Sequence, residues 1–298
     1  MMRRVIIDTD PGLDDAIAIL HALNCGAFDI LGLTTVAGNI GIDTTTANAG
    51  RLLTLMDRSD IPVLRGAAAP LRRQGIDEAA IHGDDGLGGV ALPPSGPIAQ
   101  DDAVGWMARQ LTALPEGSVD ILALGPLTNT ATLLRDHPDA AKRLGRLVVM
   151  GGAVREKGNV GPRSEFNFAF DPEAVDLVLR AGLPLTIIPL DVTRKVRASR
   201  STLQALENGA IAARTAGQLI AAYFKGDRES RPLHDPCVML YALRPDLFGI
   251  ERLPFTVDLQ DGPDAGALLE DQPGSVPVEV ATTVDASSVL ALLLEGLA

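Results

Sequence analysis

Cysteine is nearly absent: Cys25 and Cys237 are the only two in 298 residues, too few and too far apart for a disulfide framework or a clustered zinc site. Both are expected to be buried free thiols in a reducing compartment. Aromatic residues are also scarce, at 3%, which leaves few rings for stacking on bases or sugars and shifts recognition onto polar groups. Basic residues run short as well. The 26 Lys and Arg face 38 Asp and Glu, a net charge of -12, so the whole molecule's field repels phosphate backbones and anionic bilayers. Neither nucleic acid nor a membrane is therefore an expected partner. No stretch approaches the roughly 18 uncharged apolar residues of a membrane span. The apolar run before Asp8, Val5-Ile6-Ile7, is too short for the centre of a signal peptide, so a cytoplasmic protein is expected.

What the chain does contain is apolar residues, at 46%, enough at this length to bury a large core and to rule out disorder. No repeat, linker or low-complexity tract divides it, so a single domain over residues 1–298 is expected. Short apolar runs alternate with amphipathic stretches, the pattern of βαβ units on a mostly parallel, Rossmann-like open sheet flanked by helices. Strands are expected at 5 to 7, 29 to 36, 119 to 124, 146 to 150 and 185 to 190. Helices are expected at 14 to 24, 43 to 56, 101 to 114 and 171 to 181, the last with Asp171 as N-cap and Pro172 at its first position. Residues 66 to 100 and 225 to 233 read as loops, and 255 to 298 as two or three strands plus a helix capped by Asp285. An α/β sheet of this kind binds ligands at the carboxyl ends of its strands. The polar residues that follow the proposed strands should therefore converge: Asp8 and Asp10, Asn39, Gly125 with Asn129, Met150-Gly151-Gly152 and Asp191.

One of these strand ends is unusual. In Asp8-Thr9-Asp10-Pro11-Gly12-Leu13-Asp14-Asp15, four carboxylates straddle a Pro-Gly turn between strand and helix. They would repel one another unless a cation lay among them. Complementing the helix N-terminus accounts for one or two acids, not four. With no cysteine or close histidine pair nearby, the cation is a hard one, Ca²⁺ or Mg²⁺, held by oxygen ligands. A Mg²⁺ phosphatase of the haloacid-dehalogenase type also opens with a strand into Asp-x-Asp. Here Pro11-Gly12-Leu13-Asp14-Asp15 fits that pattern poorly, and its late acidic pair is missing.

The segment closely resembles the signature of the inosine-uridine-preferring nucleoside hydrolases. Further blocks look like that family's, in its order: Thr35-Val36-Ala37-Gly38-Asn39, His82 to Gly88, Leu124 to Asn129, Met150-Gly151-Gly152, Glu165-Phe166-Asn167 with Asp171 to Ala174, and His234-Asp235-Pro236. The resemblance implies Ca²⁺-dependent hydrolysis of the N-glycosidic bond of ribonucleosides to free base and ribose. A non-catalytic nucleoside or ribose binder on the same scaffold is the alternative.

By that similarity Ca²⁺ would be held by Asp10, Asp15, Asp235 and the backbone carbonyl of Leu124. Asp10 would act as general base on a metal-bound water and His234 as leaving-group acid. Asp14, Asn39, His82, Met150, Asn159, Glu165 and Asn167 would surround the substrate, and the assembly would be a dimer or tetramer of identical chains. The chemistry suits an oxocarbenium-like ribose, which needs an activated water, hydroxyl anchors, negative charge and a proton for the departing base. Some expectations come from the residues themselves. Glu165 and Asn167 should share a face of an extended segment whose phenylalanines, Phe166, Phe168 and Phe170, alternate with them, or lie in a solvated turn. His234, with an ordinary pKa of about 6.5, should be raised by the acids around it. His82 belongs either to a mobile Gly-rich flap or to plain surface. Departures include Arg194, where many relatives carry His, a short Tyr223 to His234 segment, and no basic residue between 260 and 271.

Overall fold

The structure is a computed structural model and describes residues 2–96, 99–224 and 229–298. At its centre are short apolar runs buried on both sides, as in Val5, Ile6 and Ile7, which have no exposed surface. Such runs suit a parallel sheet covered on both faces. Its strands in chain order are β1 (Arg3–Thr9), β2 (Phe28–Thr35), β3 (Val63–Arg65), β4 (Val119–Ala123), β5 (Leu147–Met150) and β6 (Leu185–Ile188). After β7 (Arg197–Ser199) and β8 (Ser230–Pro232), which pair with each other, come β9 (Phe248–Val257), β10 (Leu268–Glu270) and β11 (Val276–Val284). The nine-stranded sheet has the order β10-β9-β11-β6-β5-β4-β1-β2-β3. Only β9 runs against its neighbours. The expected mostly parallel α/β architecture is what the chain adopts.

The alternation of side chains along a strand sends its apolar residues to two faces. Val5, Ile7, Leu122 and Val148 pack with the helices Leu13–Asn24, Ile211–Tyr223, Pro236–Leu243 and Ala286–Leu297. Ile6, Ile121 and Val149 pack on the other face with the helices Ala103–Ala113 and Pro172–Arg180. Among the described residues no helix is long and apolar enough to cross a membrane. From β1 the chain moves outward to β2 and β3, then returns to the opposite side of β1 for β4. The strand order therefore reverses between β1 and β4, and a crevice opens there at the carboxyl ends.

Most expected elements are present within a residue or two. Asp171 caps its helix by accepting from the Ala174 N–H at 3.1 Å, and Asp285 caps the last helix through the Ser288 N–H. The tail holds β9, β10 and β11, with β9 starting earlier than expected. Several readings need correction. The strand expected to reach residue 190 stops at Ile188, because Pro189 starts the one-turn helix Leu190–Thr193. The expected 66 to 100 loop contains the short helix Ala79–His82, with residues 97 and 98 outside the described residues. Of the 225 to 233 loop, 225 to 228 also lie outside them, and Ser230–Pro232 is a strand. Cys237 is buried as expected, but Cys25 is only half-buried; both are free thiols. The helices Arg200–Glu207 and Ile211–Tyr223 had no sequence reading of their own.

Candidate active site

At the end of β1 the turn Pro11-Gly12 feeds directly into the helix Leu13–Asn24, and this brings Asp10, Asp14 and Asp15 together with almost no exposed surface. Asp15 accepts four hydrogen bonds. Its Oδ1 takes the Thr9 hydroxyl at 2.6 Å and the Asp10 N–H at 3.2 Å, and its Oδ2 takes the Gly12 N–H and the Asn39 Nδ2. Asn39, following β2, also donates its N–H to Asp10 Oδ2 at 2.7 Å and its Nδ2 to the Asp10 carbonyl. Two glycines make room for the Asp10 carboxylate. A Cβ on Gly38 would collide with its Oδ2, and one on Gly125, after β4, would collide with its Oδ1. Small residues in the Ala-Gly-Asn and Gly-Pro-Leu blocks are thus required by the close approach of a charged group.

Asp235 arrives from far along the chain at the N-cap of the helix Pro236–Leu243, where its side chain makes no capping bond. One oxygen each of Asp14, Asp15 and Asp235 lies within 4.8 Å of the others. With these acids so close, burial and mutual repulsion push Asp10 and Asp235 well above the usual carboxylate range and Asp14 up to about 7. Asp10 Oδ1 is buried with no hydrogen-bond partner, although the rest of its carboxylate is held firmly. A buried unpartnered oxygen is costly, and carboxylates packed this closely call for a positive charge. The residues therefore fit a hard divalent cation.

Glu165 and Asn167 form the opposite wall, by a different geometry from the one expected. Residues Phe166–Phe170 are a short helix, not a strand, and Glu165 is its N-cap. The glutamate accepts from the backbone N–H groups of Asn167, Phe168 and Gly152. This satisfies helix-end donors that an extended segment would not have. Asn167 instead donates its Nδ2 to the carbonyls of Leu124, at 2.7 Å, and Met150, at 3.2 Å, linking the ends of β4 and β5. Asn159 receives the Phe166 N–H on its Oδ1 at 2.9 Å.

Burial raises Glu165 to about 7 despite its three N–H partners. A folded pKa above the ordinary 4.5 means that its contribution to stability is whole below about 4.5 and fades as pH rises through about 7. Glu165→Gln removes that ionisation. Its urea-unfolding stability relative to the parent chain should therefore improve by on the order of 1–2 kcal/mol between pH 5 and pH 8, both without divalent cation. A difference independent of pH would contradict this.

His82 is not plain surface. It is buried at the end of the helix Ala79–His82, and its Nδ1 accepts from the Leu13 N–H at 3.0 Å. His234 is held through Nδ1 to the Thr193 hydroxyl at 2.7 Å. The expected rise in its pKa is reversed. Burial comes first, and then the guanidinium groups of Arg194 and Arg231, together pushing it down to about 3. Both cations come from parts of the chain remote from the His-Asp-Pro block.

A cavity of about 270 Å³ sits over these groups. Asp14, Asn39, His82, Leu124, Met150, Asn159, Glu165, Asn167, His234 and Asp235 all line it, with Asp10 and Asp15 beneath. Glu78, Tyr223 and Arg231 also line it and escaped the sequence reading. Arg231 lies 4.3 Å from the Tyr223 ring centroid, so the tyrosine that opens the short segment is paired with a cation that sequence does not place. Of the residues expected to converge, Asp8, Gly125, Asn129, Gly151, Gly152 and Asp191 do not line the cavity. Asp8 accepts from Thr34 and Asn129 below the floor, and Asp191 accepts from the Val154 and Arg155 N–H groups. A shallower depression of about 930 Å³, around Arg109 and His137, contains none of the predicted site residues.

Fold and site together define an α/β protein with an acidic crevice, able to hold a cation, at its topological switch point. The sequence pattern of the family described as inosine-uridine preferring nucleoside hydrolase matches residues 5–291. A pyrimidine-specific ribonucleoside hydrolase, RihA, of Shewanella woodyi is 38% identical over 311 aligned positions, covering 100% of this chain and 98% of its own. Among solved structures, the plant nucleoside hydrolase PpNRh1 superposes with a TM-score of 0.91 at 34% identity, covering 100% of this chain and 99% of that one. A purine-preferring ribonucleoside hydrolase from Gardnerella vaginalis gives a TM-score of 0.90 at 28% identity, covering 99% and 98%. The chain belongs to the inosine-uridine preferring nucleoside hydrolase family and is a ribonucleoside hydrolase. That membership sets the phosphatase reading aside.

Proposed function

We propose that the chain hydrolyses the N-glycosidic bond of ribonucleosides, releasing free base and ribose, with a Ca²⁺ ion held by Asp10, Asp15, Asp235 and the carbonyl of Leu124. The observation that carries this reading is the unpartnered Asp10 Oδ1 beside the buried carboxylate cluster of Asp14, Asp15 and Asp235. When bound, the cation offsets the clustered negative charge, acidifies water and grips vicinal hydroxyls.

The chain's own residues do the rest. Asp10 takes the proton from the attacking water through its free oxygen, while Asn39 keeps its other oxygen and its backbone in place. Asp14, Asn159, Glu165 and Asn167 surround the ribose, with Met150 packed beneath Asn167. Ionised carboxylates close to the anomeric carbon favour the positive charge that develops on the ribose as the bond breaks. His82 and His234 line the same cavity. His234, whose ring is neutral in the free protein, takes up a proton in the substrate complex and delivers it to the departing base nitrogen, so the base leaves neutral. The same reading takes the chain as a single catalytic domain over 1–298 that assembles with identical copies and works in the cytoplasm on a small-molecule substrate.

The test is a panel of purine and pyrimidine ribonucleosides followed by reducing-sugar release and chromatography of the base, with and without EDTA. Base and ribose should appear in equal amounts, and EDTA should stop both. Tight binding with no release over hours would instead make the protein a nucleoside binder. Relatives with pyrimidine and purine names both align over nearly the whole chain, so both base classes belong in the panel.

A further inference from the structure

The one-turn helix Leu190–Thr193 places a fully buried hydroxyl against the ring of His234. Thr193 has no exposed surface, and its Oγ1 lies 2.7 Å from Nδ1. His234 itself is only half-buried and lines the cavity. With Nδ1 engaged behind the ring, Nε2 is the nitrogen left to face the substrate. A hydroxyl is also a partner of a particular kind. It donates to a bare Nδ1 or accepts from a protonated one by rotating about its own bond, so the ring need not move when a proton leaves Nε2. A carbonyl would hold only one of those states.

Thr193 belongs to none of the blocks that mark the site in the sequence. It sits in the run Asp191-Val192-Thr193-Arg194, where the neighbouring side chains are committed elsewhere. Asp191 ties the turn at Val154 and Arg155, and Arg194 donates to the carbonyls of Lys157 and Gly158. The helix is thereby anchored on both sides of Thr193, which is what a fixed hydroxyl needs.

We propose that Thr193 is a positioning residue for departure of the base: its hydroxyl holds the His234 ring so that Nε2, and not Nδ1, delivers the proton. The inference rests on the reading of His234 as leaving-group acid, and its test separates the two. Thr193→Val, Thr193→Ser and His234→Ala are assayed on a ribonucleoside and on p-nitrophenyl β-D-ribofuranoside, whose nitrophenolate leaves without a proton.

With Thr193→Val, kcat on the ribonucleoside should fall by about 10-fold or more, with KM changed by less than about 3-fold, and the nitrophenyl riboside should be cleaved at close to the parent rate. Thr193→Ser should restore most of the loss. Equal losses on both substrates, or no loss on either, would overturn the positioning role. If His234→Ala slows only the ribonucleoside while Thr193→Val does not, the inference alone fails. If His234→Ala slows both substrates equally, His234 is not the acid, and both readings fall.

Discussion

Asp10→Asn should lower kcat/KM on a ribonucleoside by about 10³-fold or more without loosening the fold. A positioned general base is worth roughly two to four orders of magnitude, and the Asp10 carboxylate keeps one oxygen without a hydrogen-bond partner. Asp15 spends its oxygens on Thr9, Asp10, Gly12 and Asn39. The thermal stability of Asp10→Asn, measured without divalent cation, should be unchanged or higher. Burial and the charges of Asp15 and Asp14 make the ionised aspartate unfavourable, and asparagine removes that charge at nearly the same shape. Function and stability are thus expected to move in opposite directions at this position, as they do where an active site stores unfavourable electrostatics. A variant that lost activity together with cooperative unfolding would mean that Asp10 is chiefly structural.

The second large effect is on the cation. Asp10, Asp14 and Asp235 all have folded pKa values above their ordinary ones, and Asp14 stands at about 7. For a carboxylate raised in this way the stabilising contribution is complete below the ordinary value of about 3.8 and is lost as pH climbs through the folded one. The cation-free protein should therefore lose stability between about pH 4 and pH 7, where most proteins gain it. Added Ca²⁺ should reverse the trend. It binds the ionised cluster, so the rise in melting temperature it causes should be negligible near pH 4. By pH 8 the rise should reach about 5 °C or more at saturating concentration. Differential scanning fluorimetry over that pH range, with EDTA and with Ca²⁺, measures both slopes. A Ca²⁺ shift that is flat with pH would place the ion somewhere other than among these acids.

The acid cluster was legible because nothing in ordinary helix or strand chemistry explains Asp10, Asp14 and Asp15 around one Pro-Gly turn. Asn39 and Met150 were legible as strand-end residues in a parallel sheet, whereas Asp235, Glu165 and Asn167 came with the family resemblance. What failed did so for identifiable reasons. The alternation of Phe166, Phe168 and Phe170 has the period of a strand, but Glu165 caps the backbone donors and tips five residues into a helix. Local capping outweighed the hydrophobic pattern there. His234 was judged by its covalent neighbour Asp235, whereas burial and the guanidiniums of Arg194 and Arg231 set its protonation. Those contacts arise only when β6, β8 and the helix after Asp235 are assembled. Asp191 was read as a strand-end residue but lies in the one-turn helix after β6, and its carboxylate is consumed by the turn at Val154 and Arg155. Thr193 was invisible for the opposite reason, being a small hydroxyl between charged neighbours whose importance depends entirely on what lies across from it.

The claim on which all of this turns is that water, activated at Asp10, attacks the anomeric carbon of a ribonucleoside. Turnover in oxygen-18 water with mass analysis of both products tests it directly. The heavy oxygen should appear once per turnover in the ribose and not in the base. Label in the base, or a ribose product that carries none, would contradict it.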